Sequence, residues 1–361
     1  MPEDIAAKKF SEWGFPTKNV FYIAGPCSAE SEEQLMQTAL TLKNYEVHVM
    51  RAGIWKPRTR PGCFEGVGAK GLKWLKDAGK AANLAVTTEV ATPKHVEACL
   101  KHGIDILWIG ARTTSNPFAV QEIADALQGT DVPILVKNPI NPDVELWYGA
   151  VERLVQAGVK KLGVIHRGFS TYEKTAFRNQ PIWRIPIEMK RRNPQLPLLC
   201  DPSHICGNTE LILSVAQNAM DLLFDGLMIE VHINPSAALS DAGQQLTPEE
   251  YGHLLGRLKI KKASSESLDF LENISTLRQE IDKIDGQILD LLAMRMDKAR
   301  KIAFHKMKDN IAILQPTRWE EIVKSRIKEG VEKKLAEDFV TRLYQFIHEE
   351  SIRQQEQVIN D

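Results

Sequence analysis

The chain has 361 residues, with 46 Lys and Arg against 47 Asp and Glu for a net charge of −1, a length that suggests one large domain and a smaller one at roughly 150 residues per domain. Its 43% hydrophobic and 26% charged residues are ordinary globular usage, and the balanced charge gives no basic surface for nucleic acid. No window reaches the ~18 uninterrupted apolar residues of a membrane span, and the opening MPEDIAAKKFSEWGF lacks the basic-then-apolar order of a signal peptide, so the chain reads as cytoplasmic. From there one rhythm repeats through the first 260 residues. Short apolar, β-branched runs fall at 20–24, 47–50, 85–88, 106–109, 134–136, 161–165, 198–200 and 227–230. Stretches of helical periodicity lie between them, among them 32–42, 72–82, 120–127, 145–157, 211–221 and 249–258. Strands alternating with helices pair in parallel, and nearly continuous apolar strands need cover on both faces. Eight such units in about 250 residues fit a (β/α)8 TIM barrel. The competing open sheet is weakened because no GxGxxG follows the first strand.

The segment 259–270, KIKKASSESLDF, is polar and Ser-rich, and residues 261–270 read as a linker between a barrel at 1–260 and a second domain at 271–361. Only two glycines, Gly286 and Gly330, occur after residue 270, and apolar residues recur at 274, 277, 281, 284, 288 and 291. That 3-4 spacing continues towards Lys308 and predicts a helix of about 38 residues, roughly 57 Å long, with Pro316 as the break and shorter helices near 319–329 and 336–357. Two short helices cannot cover so long a stripe, so this small all-helical domain is expected to dimerise into a homodimer.

In a parallel barrel the chemistry sits where strands finish, and here all eight strand ends carry polar groups: Cys27-Ser28; Arg51 with Lys56, Arg58 and Thr59; Glu89; Arg112; Lys137; His166-Arg167; Asp201-Pro202-Ser203-His204; and Glu230-Val231-His232. Two sets separate by chemistry. Cys27, His204 and Glu230 belong to strands 1, 7 and 8, neighbours only if the sheet closes, and Asp241 follows strand 8. A thiolate, an imidazole and two carboxylates suit one divalent ion such as Mn, Fe, Co or Zn. The five cysteines are odd in number and lack CxxC spacing, so they read as reduced thiols of which Cys27 is the one recruited for chemistry. The second set is cationic: Arg51, Lys56, Arg58, Arg112, Lys137 and Arg167. Such a pocket expects phosphorylated or carboxylated small molecules, which beside a Lewis-acid metal equips it to condense an enol phosphate with a phosphorylated aldehyde.

The motifs GPCS, Lys-Pro-Arg-Thr, IGAR, Arg167-Gly, DPSH and Glu230…SDAGQQ, in that order over roughly 15–260, resemble 3-deoxy-D-arabino-heptulosonate 7-phosphate (DAHP) synthases of the type I beta subclass. The tail from about 268 to 357 resembles the all-helical chorismate mutases, so the chain as a whole looks like a bifunctional fusion. The resemblance implies Cys27, His204, Glu230 and Asp241 as metal ligands. It implies phosphoenolpyruvate held by Arg51, Lys56, Arg112, Lys137 and Arg167, and the phosphate of erythrose 4-phosphate at Arg58 and Thr59. In that family C3 of phosphoenolpyruvate attacks the aldehyde carbon, water adds at C2 and phosphate leaves by C–O cleavage. Lys56 is then a candidate proton donor to the nascent alkoxide. A 3-deoxy-octulosonate 8-phosphate synthase shares the barrel and is the rival reading, against which stand the Lys-Pro-Arg-Thr loop and the helical tail.

On the long predicted helix, Arg295 and Lys306 fall about 20° apart at 100° per residue, on one face beside the apolar stripe, where cations are costly unless paired. Arg278 is rotated about 100° from Arg295 and could reach only across a dimer. Ser351 and Gln355 are spaced i,i+4. The mutase resemblance implies that Arg278 of the partner chain, Arg295 and Arg318 bind the carboxylates of chorismate. Lys306 and Gln355 would then hydrogen-bond its ether oxygen, with Ser351 beside them. The tail departs from the family where a glutamate for the substrate hydroxyl is common; Trp319 stands there, with Glu320 able to replace the acid only if the helix register shifts. A tail that senses chorismate or prephenate and inhibits the barrel allosterically is the reading from another class.

Overall fold

The computed structural model describes residues 7–15, 20–56, 62–172 and 175–360. It divides into two compact units, Met1–Ala263 and Ser264–Asp361. The first begins with strand β1 (Phe21–Gly25), helix α1 (Glu32–Leu42), β2 (Val49–Arg51), α2 (Lys70–Ala82), β3 (Ala85–Val90) and α3 (Pro93–Lys101). It continues through β4 (Ile106–Ile109), the short α4 (Ala111–Thr114), α5 (Pro117–Leu127), β5 (Ile134–Lys137), α6 (Val144–Gln156) and β6 (Leu162–His166). It ends with α7 (Arg184–Arg192), β7 (Leu198–Cys200), the short α8 (Pro202–Cys206), α9 (Ile212–Asp221), β8 (Gly226–Glu230) and α10 (Pro248–Arg257). All eight strands are parallel, and β1 pairs with both β2 and β8, so the sheet closes into a barrel.

Local chemistry places the helix starts. Ser31, Thr92, Asn116, Asp143 and Thr247 each accept a backbone N–H at the first turn of the helix that follows, and Pro occupies the opening turn of α3, α5 and α10. Two apolar clusters follow from strand alternation. Residues facing the helices, such as Tyr22, Met50, Leu107, Val136 and Leu227, pack with the inner faces of the surrounding helices. The opposite set, Phe21, Ile23, Val49, Ile106, Trp108, Leu135, Ile165, Leu199 and Met228, forms a separate cluster inside the barrel. Phe10 and Trp13 join it, and Phe10 stacks on Phe21 with ring centroids 4.3 Å apart. As Phe21 opens β1, this aromatic pair plugs the N-terminal end of the barrel.

The same alternation, carried two residues further along each strand, converts an apolar layer into a charged one. Val49 leads to Arg51, Thr87 to Glu89, Leu135 to Lys137, Leu199 to Asp201 and Met228 to Glu230. The bottom of the barrel is therefore sealed, and its C-terminal end is lined by ionic groups.

The second unit is helical: α11 (Leu268–Lys308), α12 (Pro316–Glu332) and α13 (Glu337–Asn360). Ser267 caps α11, accepting from Phe270 N, so this helix begins inside the expected linker. It ends at Asp309–Asn310, where Asn310 takes the left-handed conformation at φ 54°. Pro316 is then the first residue of α12 and does not terminate α11, a correction to the sequence expectation that follows from proline's preference for an opening turn. Leu277, Ile281, Ile284, Ile288 and Leu291, the stripe read from the sequence, remain exposed on α11. Among the described residues no helix is long and apolar enough to cross a membrane.

Candidate active sites

In the barrel, Cys27 Sγ and one carboxylate oxygen each of Glu230 and Asp241 lie within 4.8 Å of one another. Cys27 and Glu230 are fully buried, and Asp241 sits at φ 47°, a backbone strain that aims its loop back at β1. Gln245 accepts from Cys27 N at 2.8 Å and Ser240 Oγ meets Ser28 Oγ at 2.5 Å. The loop carrying Asp241 is thus tied to the end of β1. The Cys27 thiol donates to Asp241 Oδ2 at 3.2 Å and is pushed up to about 12 by burial and then by Glu230.

His204, the fourth ligand expected from the sequence, lies outside this three-residue group and approaches it from α8 only at Glu230. Asp201 caps that helix, and its Oδ1 accepts His204 N at 3.0 Å while its Oδ2 lies 2.8 Å from the ring Nδ1. The other ring nitrogen, Nε2, is 3.7 Å from Glu230 Oε1. Asp201 also accepts from Lys137 Nζ at 2.7 Å. Burial alone would raise the Asp201 carboxyl, but His204 and Lys137 hold it well below the ordinary carboxylate range.

The structure interleaves the metal-type set and the cationic set that the sequence separates. Arg51, enclosed inside the barrel, pairs with Glu230 at 3.1 Å and lies 5.0 Å above the Trp108 ring. Lys56 donates to Cys27 Sγ at 2.9 Å and to Cys27 O at 3.1 Å. Glu230 Oε2 accepts from Gln244 at 2.6 Å. Burial works against the Glu230 carboxylate, but His204, Arg51 and Lys56 keep its pKa below the usual value. Arg167 donates to Asn179 Oδ1 at 2.7 Å, and its pKa is depressed to about 10 by burial, then partly by the nearby charges of Arg178 and Arg112. Four acids, Glu89, Asp201, Glu230 and Asp241, therefore offset cations that the sequence reading leaves unpaired. Arg112 is exposed on α4, while Arg58 and Thr59 lie outside the described residues.

Several supporting residues have no role in the sequence reading: Asp201, Glu89, Gln244 and Gln245, which appear there only within strand ends or motifs, and Arg178, which donates to both Asp241 Oδ1 (3.0 Å) and Gln244 Oε1 (2.7 Å). For Asp201 and Glu89 a signal exists, since each continues the inward-facing alternation of its strand. Gln244 and Gln245 stand in the SDAGQQ segment, but nothing in their type announces a role.

The helical unit holds a second site. A cavity of about 310 Å³ is lined by Arg295 and Lys306 of α11, Arg318 and Trp319 of α12, and Ser351 and Gln355 of α13. Arg295 donates to Ser351 Oγ, Lys306 to Ile313 O and Gln355 Nε2 to Ser351 O at 3.2 Å. Burial lowers the pKa of both Arg295 and Lys306. No carboxylate lines the cavity among the described residues; Arg318 pairs with Glu321 at 3.0 Å outside the lining, while Arg295 and Lys306 meet only neutral oxygens. Arg278 is exposed and outside this lining. Trp319 faces the cavity and Glu320 is exposed, so the helix register gives no substitute acid.

Comparison with known proteins bears on both units. The DAHP synthetase I family model matches residues 16–264, and the chorismate mutase type II model matches residues 277–356. Phospho-2-dehydro-3-deoxyheptonate aldolase of Thermotoga maritima is 35% identical over 237 residues, covering 66% of this chain and 68% of that protein. The 2-dehydro-3-deoxyphosphooctonate aldolase of Vesicomyosocius okutanii is 26% identical over 273 residues, covering 70% and 94% respectively. The crystal structure of the T. maritima DAHP synthase superposes with a TM-score of 0.60 at 33% identity, over 66% of this chain and 67% of that one. With its barrel matched in sequence and in structure, and its helical unit matched by a second model, this chain belongs to the DAHP synthetase I family and carries a chorismate mutase type II domain in the same polypeptide, a transferase and an isomerase in one enzyme.

Proposed function

We propose that the barrel condenses phosphoenolpyruvate with erythrose 4-phosphate in a reaction that depends on one divalent metal ion, Mn, Fe, Co or Zn, held by Cys27, His204, Glu230 and Asp241. The observation that carries this is the convergence, within 4.8 Å, of donors from buried Cys27 and Glu230 and half-buried Asp241. The donors fit a cation: buried Glu230 Oε1 accepts no hydrogen bond and is met by the Arg51 ion pair, Asp201 orients the His204 ring from behind, and the Lys56 ammonium already rests on the sulfur. A bound ion would supply Lewis-acid polarisation of the aldehyde carbonyl. Arg51, Lys137 and Arg167, with Arg112 and Lys56, hold the phosphate and carboxylate of phosphoenolpyruvate so that C3 faces the aldehyde. Arg58 and Thr59 take the phosphate of the second substrate. Lys56 lies close enough to the donor set to give a proton to the new alkoxide. Chelator treatment should cut phosphate release from the two substrates by at least about 100-fold, with recovery on adding Mn or Zn; full activity after metal removal would contradict metal dependence. Faster turnover of arabinose 5-phosphate than of erythrose 4-phosphate would instead favour the octulosonate reaction.

The helical unit, on the same proposal, rearranges chorismate to prephenate. Arg295 and Arg318, with Arg278 from the partner chain, hold the two carboxylates, and Lys306 and Gln355, with Ser351 at its edge, meet the ether oxygen. No nucleophile is needed: confinement of the reactive conformer and stabilisation of growing negative charge carry the rate. The exposed stripe on α11 supports a homodimer, which brings Arg278 to its neighbour's cavity. Prephenate or chorismate bound there inhibits the barrel allosterically in this cytoplasmic enzyme. An unchanged condensation rate on adding prephenate would remove that coupling.

A further inference from the structure

We propose that His348 is a substrate-binding residue of the helical site, meeting the ring hydroxyl of chorismate through Nε2 while Trp319 holds the imidazole plane. The inference rests on the mutase reading of the cavity. Chorismate offers two carboxylates, an ether oxygen and one hydroxyl. The arginines match the carboxylates, and Lys306 and Gln355 match the ether, which leaves the hydroxyl to Lys298, Gln315 or His348 in a cavity that no acid lines.

Of these three, His348 is the one with a buried polar atom that lacks a partner among the described residues. His348 faces the cavity from α13, three residues before Ser351 and seven before Gln355, so the three share a helical face. Its Nε2 is shielded from solvent and has no hydrogen-bond partner in the protein, a state that costs stability unless a ligand fills it. The imidazole lies flat against the Trp319 indole, centroids 4.1 Å apart and planes 14° from parallel. This stack fixes where Nε2 points. Burial first, then the charges of Arg295 and Lys306 against that of Glu349, lower the pKa of the ring. A neutral imidazole nitrogen can serve a hydroxyl as donor or acceptor, since a hydroxyl does both. Trp319 thus occupies the place of a carboxylate and works indirectly, by positioning a histidine that makes the contact.

The test compares chorismate with an analogue lacking the ring hydroxyl, using the full-length enzyme. Wild type should lose about tenfold in kcat/KM on the analogue, the scale of one hydrogen bond in a buried site. His348→Phe, which keeps the aromatic stack and removes the nitrogen, should lose about tenfold on chorismate and nothing further on the analogue. His348→Gln, which retains a polar end, should recover part of the loss. Wild-type kcat/KM for His348→Phe on chorismate, or equal losses on both substrates, would overturn the proposal. If His348→Phe does not fold, the same two-substrate comparison on His348→Gln and Trp319→Leu decides, and equal sensitivity to the hydroxyl in wild type and both variants counts against it. Arg295→Ala separates the two levels: retained chorismate turnover in that variant would remove the mutase reading itself, whatever His348 does.

Discussion

Asp201 ties together the barrel's two chemistries: it caps α8, orients His204 and neutralises Lys137 with one carboxylate. Asp201→Asn keeps the cap but weakens both charged contacts, and outer partners of this kind typically change affinity or activity by 10–100-fold. The expected result is about a 100-fold fall in condensation kcat/KM with a far smaller change in melting temperature. Gly25 makes a structural prediction. It adopts φ 147°, and a Cβ there would stand 2.2 Å from Arg51 O. Gly25→Ala should therefore destabilise the barrel by roughly 3 kcal/mol or more, read from denaturant unfolding. His166 supplies a pH effect. Burial lowers its pKa to about 3 from an ordinary 6.5, so between those values the unfolded chain binds the extra proton and stability falls as pH falls. Unfolding free energy should decline from pH 7 toward pH 4, and His166→Phe should flatten part of that slope; an unchanged slope would show that His166 plays no part. The cysteine, the histidine and most cations of the site were legible as strand-end residues. Asp201 and Glu89 were visible as strand-end groups but given no role, because only the inward period of two tells which strand-end charges enter the barrel.

At the scale of elements, the eight strands were readable because each is a short apolar run bounded by polar residues, and the register of β1 against β8 closes what the sequence only implies. Helices such as α1 and α6 announce themselves by caps and periodicity. The α7 segment, RIPIEMKRR, is harder, with Pro186 near its start and three basic residues at its end. The long helix α11 was visible in its 3-4 stripe and in its extent towards Lys308; what the sequence hides is the stop itself, a single asparagine in the left-handed conformation, because the proline further on draws the eye. The exposed residues of that stripe carry their own prediction. If the proposed homodimer forms through this stripe, Ile284→Glu with Ile288→Glu should shift the protein to monomer in sedimentation equilibrium and lower chorismate turnover, since the proposed reach of Arg278 into a neighbouring cavity would be lost. A dimer that survives both substitutions would place the interface elsewhere.

For the molecule as a whole, a net charge of −1 is an average over two anion sites built in different ways. The barrel gathers its cations at the ends of strands and tempers them with carboxylates from the same layer. The helical unit leaves Arg295 and Lys306 without any acid in the lining, a cost that the carboxylates of the proposed substrate would offset. Two sites of independent construction should fail independently. The most direct test is to assay both reactions in two full-length variants, Cys27→Ala and Arg295→Ala. The expected result is a double dissociation: Cys27→Ala loses condensation by at least about 100-fold with chorismate turnover within about twofold of wild type, and Arg295→Ala does the reverse. Folded variants in which one substitution removes both reactions, or in which neither reaction is lost, would contradict the account of two active sites in one chain.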